Sequence, residues 1–446
     1  MSTQPARGMR DFLPEDVRRR EYVVDVIRKV YDRYGFEPLE TPAVENIDTL
    51  LGQYGEENSK LIYKILKRGE HEASGEADLA LRYDLTVPLA RVVAQYQSKL
   101  PRLFKRYQIQ PVWRADRPAR GRYREFYQCD IDSIGSTSPV VEAEQIAAVS
   151  EILTTLGFDD FIIRINHRKF IAAWLNQVPV PADRHGDVLI TIDKVDKIGK
   201  DGVAKELGEK GFSEAQITGI AGWIGAQHPP SWLETIAPGF SAAGDTGLEN
   251  LAQILRLAAH TGAGDKLRID PSLARGLGYY TGTIMEINVK DLPGSIAGGG
   301  RYDNLIGTFA GTEIPACGFS LGLERLLVVM QERAMFPPQV EQSSVDVVVA
   351  ALDERAQGLA METASGLRRA GLRVDLYPDV ARKMDKVFKH VDQRRARFIA
   401  IVGEDEVAAA TVTVRNVATK TKQTISKADV ASYVMLELGV STAKGL

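Results

Sequence analysis

Cysteine is nearly absent from this chain. Cys129 and Cys317 are the two in 446 residues, too few for a disulfide framework, so a reducing cytoplasm is the expected compartment. Long apolar runs are missing too. Stretches such as VDVVVAAL, beginning at Val345, fall far short of the roughly 20 residues a membrane helix needs, and no membrane partner is expected. The opening MSTQPARGMRDFLPED has no apolar segment of the signal-peptide kind. The six histidines and two cysteines show no paired zinc-site spacing. No G-x-S-x-G elbow, no G-x-G-x-x-G after a strand and no G-x-x-x-x-G-K-[ST] loop occurs, which sets hydrolases, dehydrogenases and P-loop enzymes behind other classes. Charge of one sign is not in excess. The formal net charge is −3, so any RNA binding has to come from local basic patches.

What is present is the composition of a soluble globular protein, 44% hydrophobic and 26% charged, with length enough for about three folded units. A first helix starts at Pro14, repeats Val23, Val24, Ile27, Val30 and Tyr31 at helical spacing, and stops at Gly35. From about Leu103 to Gly135 the pattern becomes two β-rich runs around ADRPARG, an antiparallel hairpin with a long basic loop. Strands follow at FIIRIN and TGTIMEINV, with a mostly helical stretch inserted between them over about 170–265. Pro337 and Pro338 open a linker. Beyond it, strand and helix alternate: VDVVVAAL, a helix around Glu354–Arg369, LRVDLY, a helix over 382–394, and RFIAIVG, the pattern of an α/β domain.

Four segments could carry chemistry. Along the second hairpin strand, Arg124, Phe126, Gln128, Asp130 and Asp132 share a face, with Arg114 ending the opposite strand and Arg117, Arg120 and Arg122 in the connection. Guanidinium forks suit phosphate, and the ring suits a purine; the same pattern also fits a solvated charged face with Phe126 at its edge. In GFSLGLERLLVVM, Gly318 and Gly322 precede a helix with Arg325 one turn inside, where an anion is favoured; a core helix with a surface arginine fits equally. LRYDLTVPLAR sets Asp84 and Thr86 two apart, on one side of a strand, either to hold an ammonium group or as a routine hydrogen-bonded pair. IAGGGRYDNLIG reads by itself as a glycine-rich turn before Arg301 and Tyr302. LARGLGYYTGTIMEI adds Arg275, Tyr279 and Tyr280, on a loop or as ordinary core aromatics.

Taken in order, these segments resemble the class II aminoacyl-tRNA synthetases, and specifically the histidyl-tRNA synthetase family. FEPLETPAVE with Pro42 is similar to the first class motif, the hairpin from Phe104 to Asp132 to the second, and GFSLGLERL to the third. RGLGYYTG and GGGRYDNL resemble the family's two histidine motifs, and RGMRDFLPED and LRYDLTVPLAR fit as well. The resemblance implies an α+β catalytic domain over 1–335 on an antiparallel sheet, and a C-terminal α/β anticodon-binding domain with a mixed sheet over 345–446. It implies activation of histidine with ATP and Mg2+ to histidyl-adenylate, then transfer to the 3′ end of tRNA-His, in a cytoplasmic homodimer.

Residue by residue, the resemblance assigns Phe126 to stack on adenine, and Arg114, Arg122 and Arg325 to hold phosphates. Asp84, Thr86 and Gln128 would take the α-amino end of histidine, and Asp132 and Tyr280 the imidazole, with Tyr279 and Tyr302 closing that pocket. Arg275 would sit beside the reacting carboxylate and the α-phosphate, with Arg114 and Arg325 as its catalytic companions, and Arg114 would contact histidine as well as ATP. Gly278 departs from the aspartate usual in the family, no general base stands out, and no metal ligand is assigned. Two other readings remain: a histidine-binding regulatory subunit of ATP phosphoribosyltransferase, and a synthetase for another amino acid such as proline or threonine.

Overall fold

The computed structural model describes residues 3–51, 59–69, 74–241, 243–244, 246–274, 279–341, 345–381 and 383–439. The chain divides into two compact units, Met1–Phe336 and Pro337–Leu446.

The first helix spans Pro14–Arg33 and buries Val23, Val24, Ile27, Val30 and Tyr31, the residues its spacing selects. Pro14 suits the first turn because that turn has no intrahelical acceptor for its missing N–H. Gly35 takes φ +72°, the left-handed exit that glycine adopts without penalty. On the buried side, the Tyr31 hydroxyl donates to the Cys129 carbonyl at 3.0 Å and so ties this helix to the sheet.

In chain order the strands of this unit are β1 (Glu37–Pro38), β2 (Val44–Asn46), β3 (Lys64–Leu66), β4 (Ala77–Leu81), β5 (Phe104–Trp113), β6 (Glu125–Ile134), β7 (Ile162–His167), β8 (Leu267–Ile269), β9 (Thr283–Asn288), β10 (Ala297–Arg301) and β11 (Ala316–Gly322). Eight form one sheet in the order β1-β5-β6-β11-β10-β9-β7-β8, and β2-β4-β3 form a small second sheet. The large sheet is mixed, which corrects the expectation of an antiparallel one. Its inner pairings are antiparallel, while β1–β5 and β7–β8 are parallel. A parallel neighbour requires a long crossover, and the helical insertion between β7 and β8 supplies one. Among its described residues the insertion is helical, with a core in which Trp174 stacks on Trp223 at 5.3 Å and Phe170 packs edge-on against Phe240.

Two local expectations are also corrected. GGGR is a strand rather than a turn. A Cβ on Gly299 would lie 2.2 Å from the Gly318 carbonyl oxygen, and one on Gly300 would lie 2.4 Å from that of Thr283, so β10 needs glycine to fit between its neighbours. Asp84 and Thr86 do not lie on a strand either. Strand β4 ends at Leu81, a helix spans Thr86–Tyr96, and Asp84 Oδ1 accepts the Val87 N–H at 3.0 Å, satisfying a first-turn donor.

In the second unit, β12 (Val347–Ala351), β13 (Val374–Leu376), β14 (Phe398–Val402), β15 (Thr411–Asn416) and β16 (Lys422–Ser426) form a sheet in the order β13-β12-β14-β15-β16. The first two pairings from the β13 edge are parallel and the last two antiparallel, a mixed sheet. Helices Gln357–Arg369 and Met384–Arg394 make the parallel connections, and Pro338–Glu341 forms a short helical turn where the sequence reads as linker. Both cysteines are free and buried, Cys129 on β6 and Cys317 on β11, and burial pushes both thiols well above their usual range.

Candidate active site

Strand β6 makes the floor. Alternation gives Phe126, Gln128, Asp130 and Asp132 one face and leaves Tyr127 and Cys129 on the other, towards the first helix. Arg124 does not join that face: it stands before the strand, where its Nε donates to the Asp116 carbonyl at 3.1 Å.

Asp132 is 2% exposed, accepts the Tyr302 hydroxyl, and meets Arg106 Nη2 at 2.7 Å. Burial raises its pKa while Arg106 pulls it down. Gly318 on β11 faces it, and a Cβ there would lie 2.0 Å from Asp132 Oδ1, so glycine makes the room this carboxylate occupies. Next along the floor, Asp130 is pushed up to about 7, mainly by burial and against the pull of Arg106. Gln128 Nε2 donates to Ser320 Oγ at 3.0 Å, and both Gln128 Oε1 and Asp130 Oδ1 are buried without a hydrogen-bond partner. Two buried acceptors left open suit a ligand that brings donors.

Three tyrosines wall this end. The Tyr279 ring lies 4.9 Å from Tyr280 and 6.0 Å from Tyr302, each edge to face. Tyr279 also hydrogen-bonds Thr86 and lies within the field of Asp84, although burial is the main reason its phenol is raised. Asp84, Thr86, Asp132, Tyr279, Tyr280 and Tyr302 thus come together in one polar cluster.

At the other end, Arg114 Nε donates to the Tyr83 carbonyl at 3.0 Å, and its guanidinium lies 4.3 Å from the Tyr83 ring and 5.2 Å from Phe126. The hairpin loop turns through Gly121, φ +68°, closed by paired backbone bonds between Ala119 and Arg122, and leaves the Arg122 side chain exposed. Beneath it Arg325, in the first turn of the helix Leu323–Glu332, donates to the Pro293 carbonyl. Its neighbour Glu324 is buried, accepts the Tyr127 N–H at 3.0 Å, and is raised to about 7 chiefly by burial. Arg275 and Gly278 lie outside the described residues.

Sequence reasoning missed Arg106, Ser320 and Glu324 as members of this site. Arg106 was within reach, because a hairpin register places it opposite Asp132. No sequence signal marks Ser320, which comes from a strand nearly two hundred residues away.

A family model described as Histidyl-tRNA synthetase matches residues 8–326, and one described as Anticodon binding domain matches 346–436. The chain is 39% identical to a histidine–tRNA ligase of Gloeobacter violaceus, over 96% of this chain and 97% of that one. It is 40% identical to that of Porphyromonas gingivalis, over 96% and 98%. It superposes on the crystal structure of histidyl-tRNA synthetase from Nostoc with a TM-score of 0.81 at 30% identity, covering 98% of this chain and all of that one.

Proposed function

The chain belongs to the histidyl-tRNA synthetase family, and from that premise we propose how its own residues carry the reaction. It is a histidine–tRNA ligase: histidine and ATP give histidyl-adenylate and pyrophosphate, and histidine then passes to the 3′ end of tRNA-His.

The observation that carries the assignment of residues is the Asp132 carboxylate, fixed between Arg106 and Tyr302 beside Tyr279 and Tyr280. A carboxylate held this way accepts an imidazole N–H, and a tyrosine hydroxyl serves the second ring nitrogen. An analogue without those groups would leave buried partners unpaired, a penalty that supports strong selection. Asp84, Thr86 and the open Gln128 Oε1 receive the α-ammonium group, which leaves the substrate carboxylate directed along the floor towards Phe126. Adenine stacks on Phe126, and Arg114, Arg122 and Arg325 take phosphate oxygens.

In the first step a carboxylate oxygen of histidine attacks the α-phosphorus, and the bond from that phosphorus to the bridging oxygen of pyrophosphate breaks. Charge gathers on the phosphoryl oxygens, and Arg275 with Arg114 and Arg325 stabilises it more in the transition state than in the ground state. In the second step a terminal ribose hydroxyl of tRNA attacks the acyl carbon, loses its proton, and AMP leaves.

Among the described residues no three Asp, Glu, His or Cys side chains converge as a metal cage. The triphosphate's own oxygens are suitable hard ligands for magnesium, which would there offset phosphate charge beside Arg114, Arg122 and Arg325.

We assign residues 1–335 to catalysis and 345–446 to the anticodon. In the latter, Lys386 and Lys389 are exposed on the helix beside Phe388, over which Arg415 lies at 4.7 Å. Arg382, which would extend this basic face, is outside the described residues. Homodimer formation is proposed through the segment at Pro42. That residue is exposed, while its carbonyl and that of Thr41 are pinned by the buried Arg82 at 3.2 and 2.6 Å. Among the described residues no helix is long and apolar enough to cross a membrane, and a cytoplasmic location is proposed.

ATP–pyrophosphate exchange measured with each of the twenty amino acids tests this reading. Exchange with histidine alone is expected; silence with all twenty overturns it, and exchange with proline or threonine reassigns the pocket. Arg275→Ala is expected to abolish exchange, and a near-normal rate would remove its role.

A further inference from the structure

The segment RGMRDFLPED has no part in the chemistry above, yet it packs against the middle of the site. Residues 6–12 turn on a bond from the Met9 N–H to the Ala6 carbonyl at 2.9 Å, with Gly8 at φ +83°. The Gly8 carbonyl accepts the Arg124 N–H at 2.8 Å, and Arg124 Nη1 donates to the Arg7 carbonyl at 3.4 Å. A Cβ on Gly8 would lie 2.9 Å from both Arg124 and Pro118, so the strap touches the hairpin loop at its middle and at its return to the strand. Its main contact is Arg10. That guanidinium lies 3.8 Å from the Tyr123 ring and 4.5 Å from the Phe12 ring, and 3.9 Å from Glu324 Oε1. Arg10 Nε and Nη2 are buried and donate no hydrogen bond, so the rings and the Glu324 carboxylate are what hold it. Phe12 is met in turn by Arg20 at 4.7 Å, and Arg20 lies 5.1 Å from the Tyr127 ring.

The partners of this stack have one thing in common. Tyr123 follows Arg122, Tyr127 follows Phe126, and Glu324 precedes Arg325. Each is the chain neighbour of a residue assigned to ATP. Adjacent residues on an extended backbone face opposite ways, so a grip on Tyr127 fixes Phe126 without touching its ligand face.

We propose that residues 6–12 are a positioning strap for the ATP site, in which Arg10, stacked between Phe12 and Tyr123, sets Arg122, Phe126 and Arg325 from behind. The proposal rests on the assignment of ATP to those three residues. The contacts of the strap described above fall on the hairpin loop and on the chain neighbours of the ATP residues, so its effect is selective. A cation between two rings at these distances is a contact of substance, and aligning three groups at once multiplies its reach.

The test is ATP–pyrophosphate exchange by the full chain carrying Arg10→Ala, with KM measured separately for ATP and for histidine. A rise in ATP KM of roughly tenfold is expected, with histidine KM within about twofold. Arg10→Lys, which keeps the charge and loses the planar stack, should restore only part. Tyr123→Phe, which keeps the ring, should behave as wild type. Gly8→Ala perturbs the same strap without altering charge and should reproduce the ATP effect, which covers the case of an Arg10→Ala protein that does not fold. An unchanged ATP KM, or equal rises for both substrates, overturns the proposal. Phe126→Ala run alongside separates the two levels. If it leaves ATP KM unchanged, the ATP assignment itself has failed. If it raises ATP KM while Arg10→Ala does not, the strap alone has failed.

Discussion

Tyr302 donates its hydroxyl to one oxygen of Asp132, and Arg106 reaches the other at 2.7 Å, so this buried carboxylate is held from two sides. Removing a hydrogen bond to a charged group costs about 1.5–3 kcal/mol. Tyr302→Phe should therefore raise the histidine KM in pyrophosphate exchange by roughly ten- to a hundredfold, with little change for ATP. An unaltered histidine KM would remove Asp132 from the pocket.

Two glycines that look alike in sequence should fail differently. A Cβ on Gly318 meets a side-chain oxygen, Asp132 Oδ1, whereas one on Gly299 meets the Gly318 carbonyl and the Phe319 Cα at 2.2 and 2.7 Å. Gly318→Ala should fold, lose about 1–3 kcal/mol to overpacking, and lose histidine activation as the carboxylate is displaced. Gly299→Ala should break the β10–β11 ladder and leave little folded protein. Melting by circular dichroism with exchange assays on the soluble fraction separates the two outcomes.

Asp130 carries a stability signature. Its carboxyl titrates near 4 when unfolded and about 7 when folded, so between those values the folded state holds more protons than the unfolded one. Stability from this group is therefore greatest below about pH 4, declines as pH rises, and levels off above about pH 7. Asp130→Asn removes that slope, and the gap between variant and wild-type melting temperatures should widen in the variant's favour from pH 4 to pH 7. A gap independent of pH would mean that Asp130 ionises at an ordinary value.

For the second unit, Lys386→Glu combined with Lys389→Glu should weaken tRNA charging roughly tenfold while leaving pyrophosphate exchange untouched. The loss should grow at low salt and shrink at high salt, where ions screen the charges that were changed. Equal charging by this variant would move the RNA contact elsewhere.

What the sequence disclosed follows from the range of the forces involved. The hairpin and the first helix are legible because alternation and the Val23–Tyr31 repeat are local patterns. The GGGR strand was not, because its glycines answer to carbonyls of Gly318 and Thr283 that only the folded sheet brings near. Asp84 failed as a strand residue because its oxygen serves the Val87 amide and starts a helix, a choice that Asp-x-Thr alone does not reveal. Tyr302 and Asp132 were picked out by family likeness, while their bond and the grip of Arg106 are products of register. The Arg10 stack joins the chain's beginning to residues more than a hundred and three hundred positions later, beyond the reach of any window.

The burial of Cys129 and Cys317 has a chemical consequence for the whole enzyme. A thiolate is what peroxide and electrophiles attack, and both thiols are held protonated and shut away from solvent on the strands that floor the pocket. Oxidants can reach them only through unfolding, so charging activity should outlast an oxidative burst that silences enzymes with exposed cysteines. The rate of modification by a thiol reagent then becomes a clock for opening of the catalytic sheet, readable without any substrate.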